Sequence, residues 1–108
     1  MQKNERFAVF WFDPEPTVGT ELRKIRPCIV VSPEIMNSAV RTVLVTPLTS
    51  TIKSWPFRTT VTINGQKSSV ACDQLRSVDK SRLKERISTL KASESRAVLQ
   101  ILQSLFAE

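Results

Sequence analysis

The chain has 108 residues, enough for one hydrophobic core without disulfides or bound metal, and its 41% apolar and 24% charged residues are ordinary for a globular domain. Lys and Arg number 16 against 10 Asp and Glu, giving +6 and a pI near 9.9, a balance that favours a polyanionic partner, with solubility charge as the plainer alternative. Without a histidine no imidazole acid or base is available, and two cysteines alone argue against a zinc site, so no metal or other cofactor is expected.

A single domain over residues 1–108 is expected. No apolar run approaches a membrane span and no signal peptide opens the chain, so the expected compartment is the cytoplasm, with no membrane partner.

In chain order, "FAVFWF" at 7–12 is an aromatic and apolar run that predicts a first strand. The prolines of "DPEP" end it, since they lack ladder donors, and a polar loop runs to about Ile25. "PCIVVS" at 27–32 is a continuous apolar run and predicts a strand buried on both faces, with Pro27 suited to its first position. Residues 33–39 predict a turn with one helical turn at 34–37. "TVLVT" at 42–46 predicts a third strand that Pro47 ends, and 48–56 a hydroxyl-rich loop.

Residues 57–63 alternate as a fourth strand, Asn64-Gly65 is a hairpin turn because both tolerate positive φ, and 69–72 return as a fifth strand. A short helix is expected near 79–82 and a last short strand at 87–90. From Ser93, a candidate N-cap followed by Glu94, the residues Val98, Ile101, Leu102, Leu105 and Phe106 recur at helical spacing. Cys28 and Cys72 sit inside apolar runs and read as small buried hydrophobes. Short strands closed by one C-terminal helix predict a mainly β, α+β fold: a small, strongly curved barrel with function at its rim.

Three polar clusters each follow or abut a buried strand. The first holds Gly19, Glu21, Arg23, Lys24 and Arg26. Arg26 stands directly before Pro27, and a guanidinium anchored at a buried strand loses less entropy when it clamps a phosphate. The alternative is a structural Glu21–Arg26 ion pair. The second cluster is "PLTST" at 47–51, where Thr49 and Ser50 either bind phosphate oxygens or serve as turn chemistry. The third is "DQLRSVDKSRL" at 73–83, in which Gln74 and Arg76 contact nucleic acid, or Asp73 and Arg76 form a solvated pair. Trp55 either stacks on an unstacked base or belongs to the core.

Taken in order, "PTVGTELRKIRPCIVVS", "VTPLTST", the hairpin and "DQLRSVDKSRL" resemble the MazF/PemK family of bacterial toxins, the mRNA interferases of toxin–antitoxin pairs, from about residue 9 to the final helix. The resemblance implies an SH3-like barrel, a homodimer, metal-independent cleavage of single-stranded RNA, and inhibition by a cognate, usually acidic, antitoxin. It implies Arg26 and Thr49 as the catalytic pair and Glu21 at an acidic position with a catalytic role in some members. Gln74 falls at a position lining the RNA site, to which Arg23, Lys24, Ser50, Arg76 and Trp55 would add contacts.

The implied reaction is attack by the RNA 2′-hydroxyl on its own phosphate. Where the family usually has Gly-Asp before its first strand, this chain has Phe7-Ala8. A rival of another class is a non-enzymatic toxin of the same fold that binds a protein such as gyrase. A plain nucleic-acid-binding module is a third reading, and a cleavage assay in EDTA separates them.

Overall fold

In the computed structural model, residues 5–14 and 25–108 are described. Strand β1 (Ala8–Phe12) pairs antiparallel with β2 (Arg26–Val30), which pairs with β3 (Thr42–Thr49). A hairpin of β4 (Arg58–Ile63) and β5 (Gln66–Ala71) joins β3 at Leu48 and Thr49, whereas β6 (Arg76–Asp79) joins it at Thr42 to Val45. Strand β7 (Leu83–Thr89) pairs with β1, completing the order β4-β5-β3-β2-β1-β7 among the described residues. Helix α1 (Glu34–Ala39) sits between β2 and β3, and α2 (Ala92–Leu105) closes the chain. The sheet is strongly curved, as the pattern of short strands predicts.

Pro47 does not end β3. The strand runs through it to Thr49, with Pro47 opposite Cys28 on β2. On the other edge Pro47 falls between the last β6 pair and the first β5 pair, so its missing N–H interrupts neither ladder. This extension places Thr49 on a strand, where a loop was expected.

The Asn64-Gly65 turn forms as predicted, with φ of 50° and 83°, the left-handed pair that a tight hairpin requires. Strand β5 begins earlier than predicted, at Gln66. Residues 80–82 form a single 3-10 turn, with the Asp79 carboxylate accepting from the Ser81 N–H at 2.9 Å. Strand β7 extends over Leu83–Thr89 instead of 87–90. Its Lys84, Glu85 and Arg86 conceal it from a hydrophobicity reading, and charges of this kind are common on edge strands.

Helix α2 starts at Ala92, with Lys91 rather than Ser93 at the N-cap. Glu94 does the capping: one carboxylate oxygen accepts from the Lys91 N–H at 3.1 Å and the other from the Thr62 N–H at 2.8 Å. One side chain thus satisfies a helix-end donor and ties α2 to β4. Val98 and Leu102 are buried and Ile101 packs beside them, while Leu105 and Phe106 project outward.

The core lies on both faces of the sheet. Val9, Ile29, Leu48, Val61 and Val70 pack with Val98 and Leu102 of α2 on one face; Ala8, Phe10, Phe12, Cys28, Val30, Val43 and Val45 form a second cluster on the other. Alternation along the strands makes this division. Cys28 and Cys72 are buried and unbridged, one in each cluster, as small apolar fillers.

Phe7 adopts φ 68°, a conformation that favours glycine, and it holds the position where the resemblance expects glycine. Its N–H donates to the Val30 carbonyl at 2.6 Å and its carbonyl accepts from the Leu90 N–H at 3.0 Å. Its ring packs against the helix-side core, with the Arg6 guanidinium 5.2 Å above it. These bonds and contacts hold a backbone that a phenylalanine alone would avoid.

Candidate functional site

Where the second cluster reaches the rim, its apolar floor gives way to charge. Phe12, Pro14, Arg26, Cys28, Val45, Pro47, Gln74 and Arg76 line a cavity of about 380 Å³. Four segments meet there by register: Phe12 lies opposite Arg26, Cys28 opposite Pro47, and Val45 opposite Arg76. Arg26 opens β2 with its side chain exposed, while the residues that follow it on that strand enter the core. Its backbone is therefore anchored although its guanidinium is free to meet a ligand.

The Arg76 guanidinium lies 5.4 Å from the centre of the Phe12 ring, which holds this second cation over the cavity floor. Gln74 is exposed in the 3-10 turn Cys72–Gln74 that links β5 to β6. Burial raises the Cys28 thiol to about 12, so it is a neutral part of the floor and not a nucleophile at neutral pH.

Thr49 ends β3 on the same face as Val45 and Pro47. The β2–β3 pairing ends at Cys28–Pro47, two residues before Thr49, and Thr49 itself pairs with Ser69 on β5. The Thr49 hydroxyl oxygen accepts from the Thr51 N–H at 3.2 Å, so the turn chemistry weighed for this cluster is present and leaves the hydroxyl hydrogen free.

A family model described as the PemK-like, MazF-like toxin of type II toxin–antitoxin systems matches residues 5–106. The chain belongs to this family. It is 30% identical over 92 residues to Endoribonuclease EndoA of Bacillus subtilis, covering 80% of this chain and 79% of that protein. To Endoribonuclease toxin MazF of Escherichia coli it is 36% identical over 72 residues, 65% of this chain and 63% of that one. Among solved structures, a MazE-MazF crystal structure from Deinococcus radiodurans aligns with a TM-score of 0.78 at 30% identity, covering 94% of this chain and 93% of that one.

Within this MazF-like fold, Arg26, Gln74 and Arg76 come together at one cavity, with Thr49 on the same face of β3 as its lining residues Val45 and Pro47, and Ser50 exposed next along the chain. Glu21, Arg23 and Lys24 lie outside the described residues. Trp55 is not core. It is 43% exposed, stacks on Phe57 at 5.3 Å, and has the Lys53 and Arg58 cations 5.4 Å and 4.9 Å from its ring centre.

Asp73 does not pair with Arg76. Its two carboxylate oxygens accept from Arg58 at 2.8 Å and 3.1 Å, and Arg58 is the more buried partner, its side chain only 8% exposed. The hydrogen bonds from Arg58 hold the Asp73 carboxyl below the usual range, and its own burial opposes this only in part. Sequence reasoning missed Arg58. Its only signal is strand alternation, which puts it on the face of β4 opposite that of Val61. The bidentate pair joins the turn bearing Gln74 to the loop bearing Trp55.

Proposed function

We propose that this chain is a sequence-specific, metal-independent endoribonuclease toxin that cleaves single-stranded RNA and is neutralised by a cognate antitoxin. The observation that carries the proposal is the convergence of Arg26, Arg76 and Gln74 on one rim cavity, in a family whose curated relatives are named endoribonucleases. The cavity joins cations for a phosphate to an amide for a base edge, above an aromatic floor.

In the proposed reaction the RNA 2′-oxygen attacks its own phosphorus and the bond to the 5′-oxygen breaks, leaving a 2′,3′-cyclic phosphate and a 5′-hydroxyl. Glu21 takes the 2′-hydroxyl proton. Arg26 stabilises charge developing on the phosphate and passes a proton to the departing oxygen, the second role being harder for a guanidinium. Thr49 donates a hydrogen bond to a phosphate oxygen. Arg23, Lys24, Ser50 and Arg76 hold neighbouring phosphates, while Gln74 and Trp55 take unstacked bases. One catalytic domain spans residues 1–108 and works as a homodimer.

The antitoxin is an acidic protein that lies across the same groove; crystal structures of MazE-MazF from Deinococcus radiodurans support a cognate protein partner. With a chain charge of +6, association should slow as salt rises, because screening shortens the reach of the field.

The test is cleavage of a single-stranded RNA in excess EDTA with the product ends identified. Cleavage giving a cyclic phosphate or its hydrolysed form, at sites that share a base motif, is expected. A strict need for magnesium, or a 5′-phosphate product, would contradict the mechanism. Primer extension on a long transcript then gives the base motif.

A further inference from the structure

Two buried hydroxyls among the described residues make no hydrogen bond, those of Thr46 and Ser69. Thr46 alternates with Val45 and Pro47 and so faces the α2 side, away from the cavity. Ser69 lies on the opposite face. Val70, its neighbour on β5, packs under α2, which turns Ser69 toward the cavity side of the sheet.

Its register is specific: Ser69 is the cross-strand partner of Thr49 on β3 and of Thr60 on β4. One row thus crosses β3, β5 and β4 as Thr49, Ser69 and Thr60, on the face that carries Pro47 and Val45 to the cavity. Ser69 is 0% exposed, whereas Thr49 is half-buried and Thr60 exposed. Its hydroxyl is therefore shut off from water and adjoins a threonine that has a free hydroxyl hydrogen.

We propose that Ser69 is a positioning residue for Thr49, donating its hydroxyl hydrogen to the Thr49 oxygen when RNA is bound; this rests on the reading of Thr49 as a phosphate donor. Directly paired residues on neighbouring strands bring side-chain hydroxyls within reach of each other through a χ1 rotation. The Thr49 oxygen already accepts from the Thr51 N–H, and an oxygen has room for a second donor. Accepting from both fixes the oxygen and leaves its own hydrogen one direction, toward the phosphate. Each accepted bond also strengthens the bond that Thr49 donates. A buried hydroxyl without a partner destabilises the resting fold, and here its partner is made in the bound state.

The test combines Ser69→Ala, Thr49→Ala, the double variant and Arg26→Ala in single-turnover cleavage of a short RNA, with melting temperatures. Ser69→Ala should melt at or above the wild-type temperature, because it deletes an unsatisfied buried group. It should nevertheless cleave roughly tenfold more slowly with unchanged RNA affinity. In the Thr49→Ala background it should cause no further loss. Ser69→Cys, close in size and a weak donor, should be slow as well.

Wild-type cleavage by Ser69→Ala and Ser69→Cys, or an equal loss from Ser69→Ala with and without Thr49, overturns the proposal. Full activity of Arg26→Ala and Thr49→Ala would instead overturn the catalytic reading on which it rests.

Discussion

Along β1 and β2, Val9 and Ile29 pack beneath α2, while the residues between them, Phe10, Phe12, Arg26 and Cys28, face the other way and lead to the cavity. The two faces begin alike, as fully buried apolar clusters, and differ at the rim. On the helix side Val98 and Leu102 of α2 are buried over the cluster. On the cavity side the cluster stops at Phe12, and Arg26, Arg76 and Gln74 take over. The difference shows how a small barrel carries a cationic site without losing its core: the charges stand at strand ends whose backbones the core already holds.

Breaking the helix-side face should give the largest effect. Val98→Asp places an uncompensated charge beneath α2, at a cost of several kcal/mol, and should abolish cooperative unfolding as followed by circular dichroism.

Next comes the Arg58–Asp73 pair beside the cavity. Asp73→Asn leaves the nearly buried Arg58 guanidinium without its counter-charge and should cost about 1–3 kcal/mol in urea denaturation. The carboxyl is held below its ordinary value, so the folded state binds fewer protons than the unfolded chain. The pair's contribution is complete above the unfolded aspartate value of about 3.9 and is lost as pH falls through the lower folded value. Wild-type stability should therefore fall more steeply than that of Asp73→Asn below that point, and parallel acid limbs would contradict the assignment.

On the cavity rim, removing a charge should leave the fold nearly intact. Arg76→Ala gives up a cation–ring contact worth about 0.5–1 kcal/mol. It should weaken RNA binding across sequences and flatten the salt dependence by roughly one counterion. An unchanged salt slope would place Arg76 outside the RNA footprint.

The smallest net effect is expected at Phe7. Phe7→Gly relieves a left-handed backbone costing about 1–2 kcal/mol but forfeits ring packing of comparable size, so the net change should stay within about 1 kcal/mol. A loss of about 3 kcal/mol or more would mean that the ring contributes far more than the strain it imposes.

Much of this division was legible in the sequence. The runs at 7–12 and 27–32, the Asn64-Gly65 turn and the helical spacing of Val98, Ile101 and Leu102 each report a local preference that the fold keeps. What escaped depends on partners. Pro47 reads as a strand end because a proline breaks a ladder, yet the gap between β5 and β6 on that edge tolerates it. Strand β7 is charged because it is an edge, and no periodicity marks it.

The site divides in the same way. Arg26, Gln74 and Arg76 stand out as charge or amide beside a buried strand, which a sequence displays. The pairing of Asp73 with Arg58 needs the β4–β5 hairpin to bring together residues far apart in the chain. Likewise the exposure of Trp55 follows from the cations and the ring packed around it, since an isolated tryptophan is as often buried.

The central claim is that the cavity face, through Arg26, performs the chemistry while both core clusters hold it in place. Single-turnover cleavage of single-stranded RNA in excess EDTA by Arg26→Ala, with melting temperature and oligomeric state measured on the same sample, tests this most directly. Loss of cleavage by at least about a hundredfold is expected, with a nearly unchanged melting temperature and assembly, because the Arg26 side chain is exposed. Near wild-type cleavage by a folded Arg26→Ala protein would contradict the account.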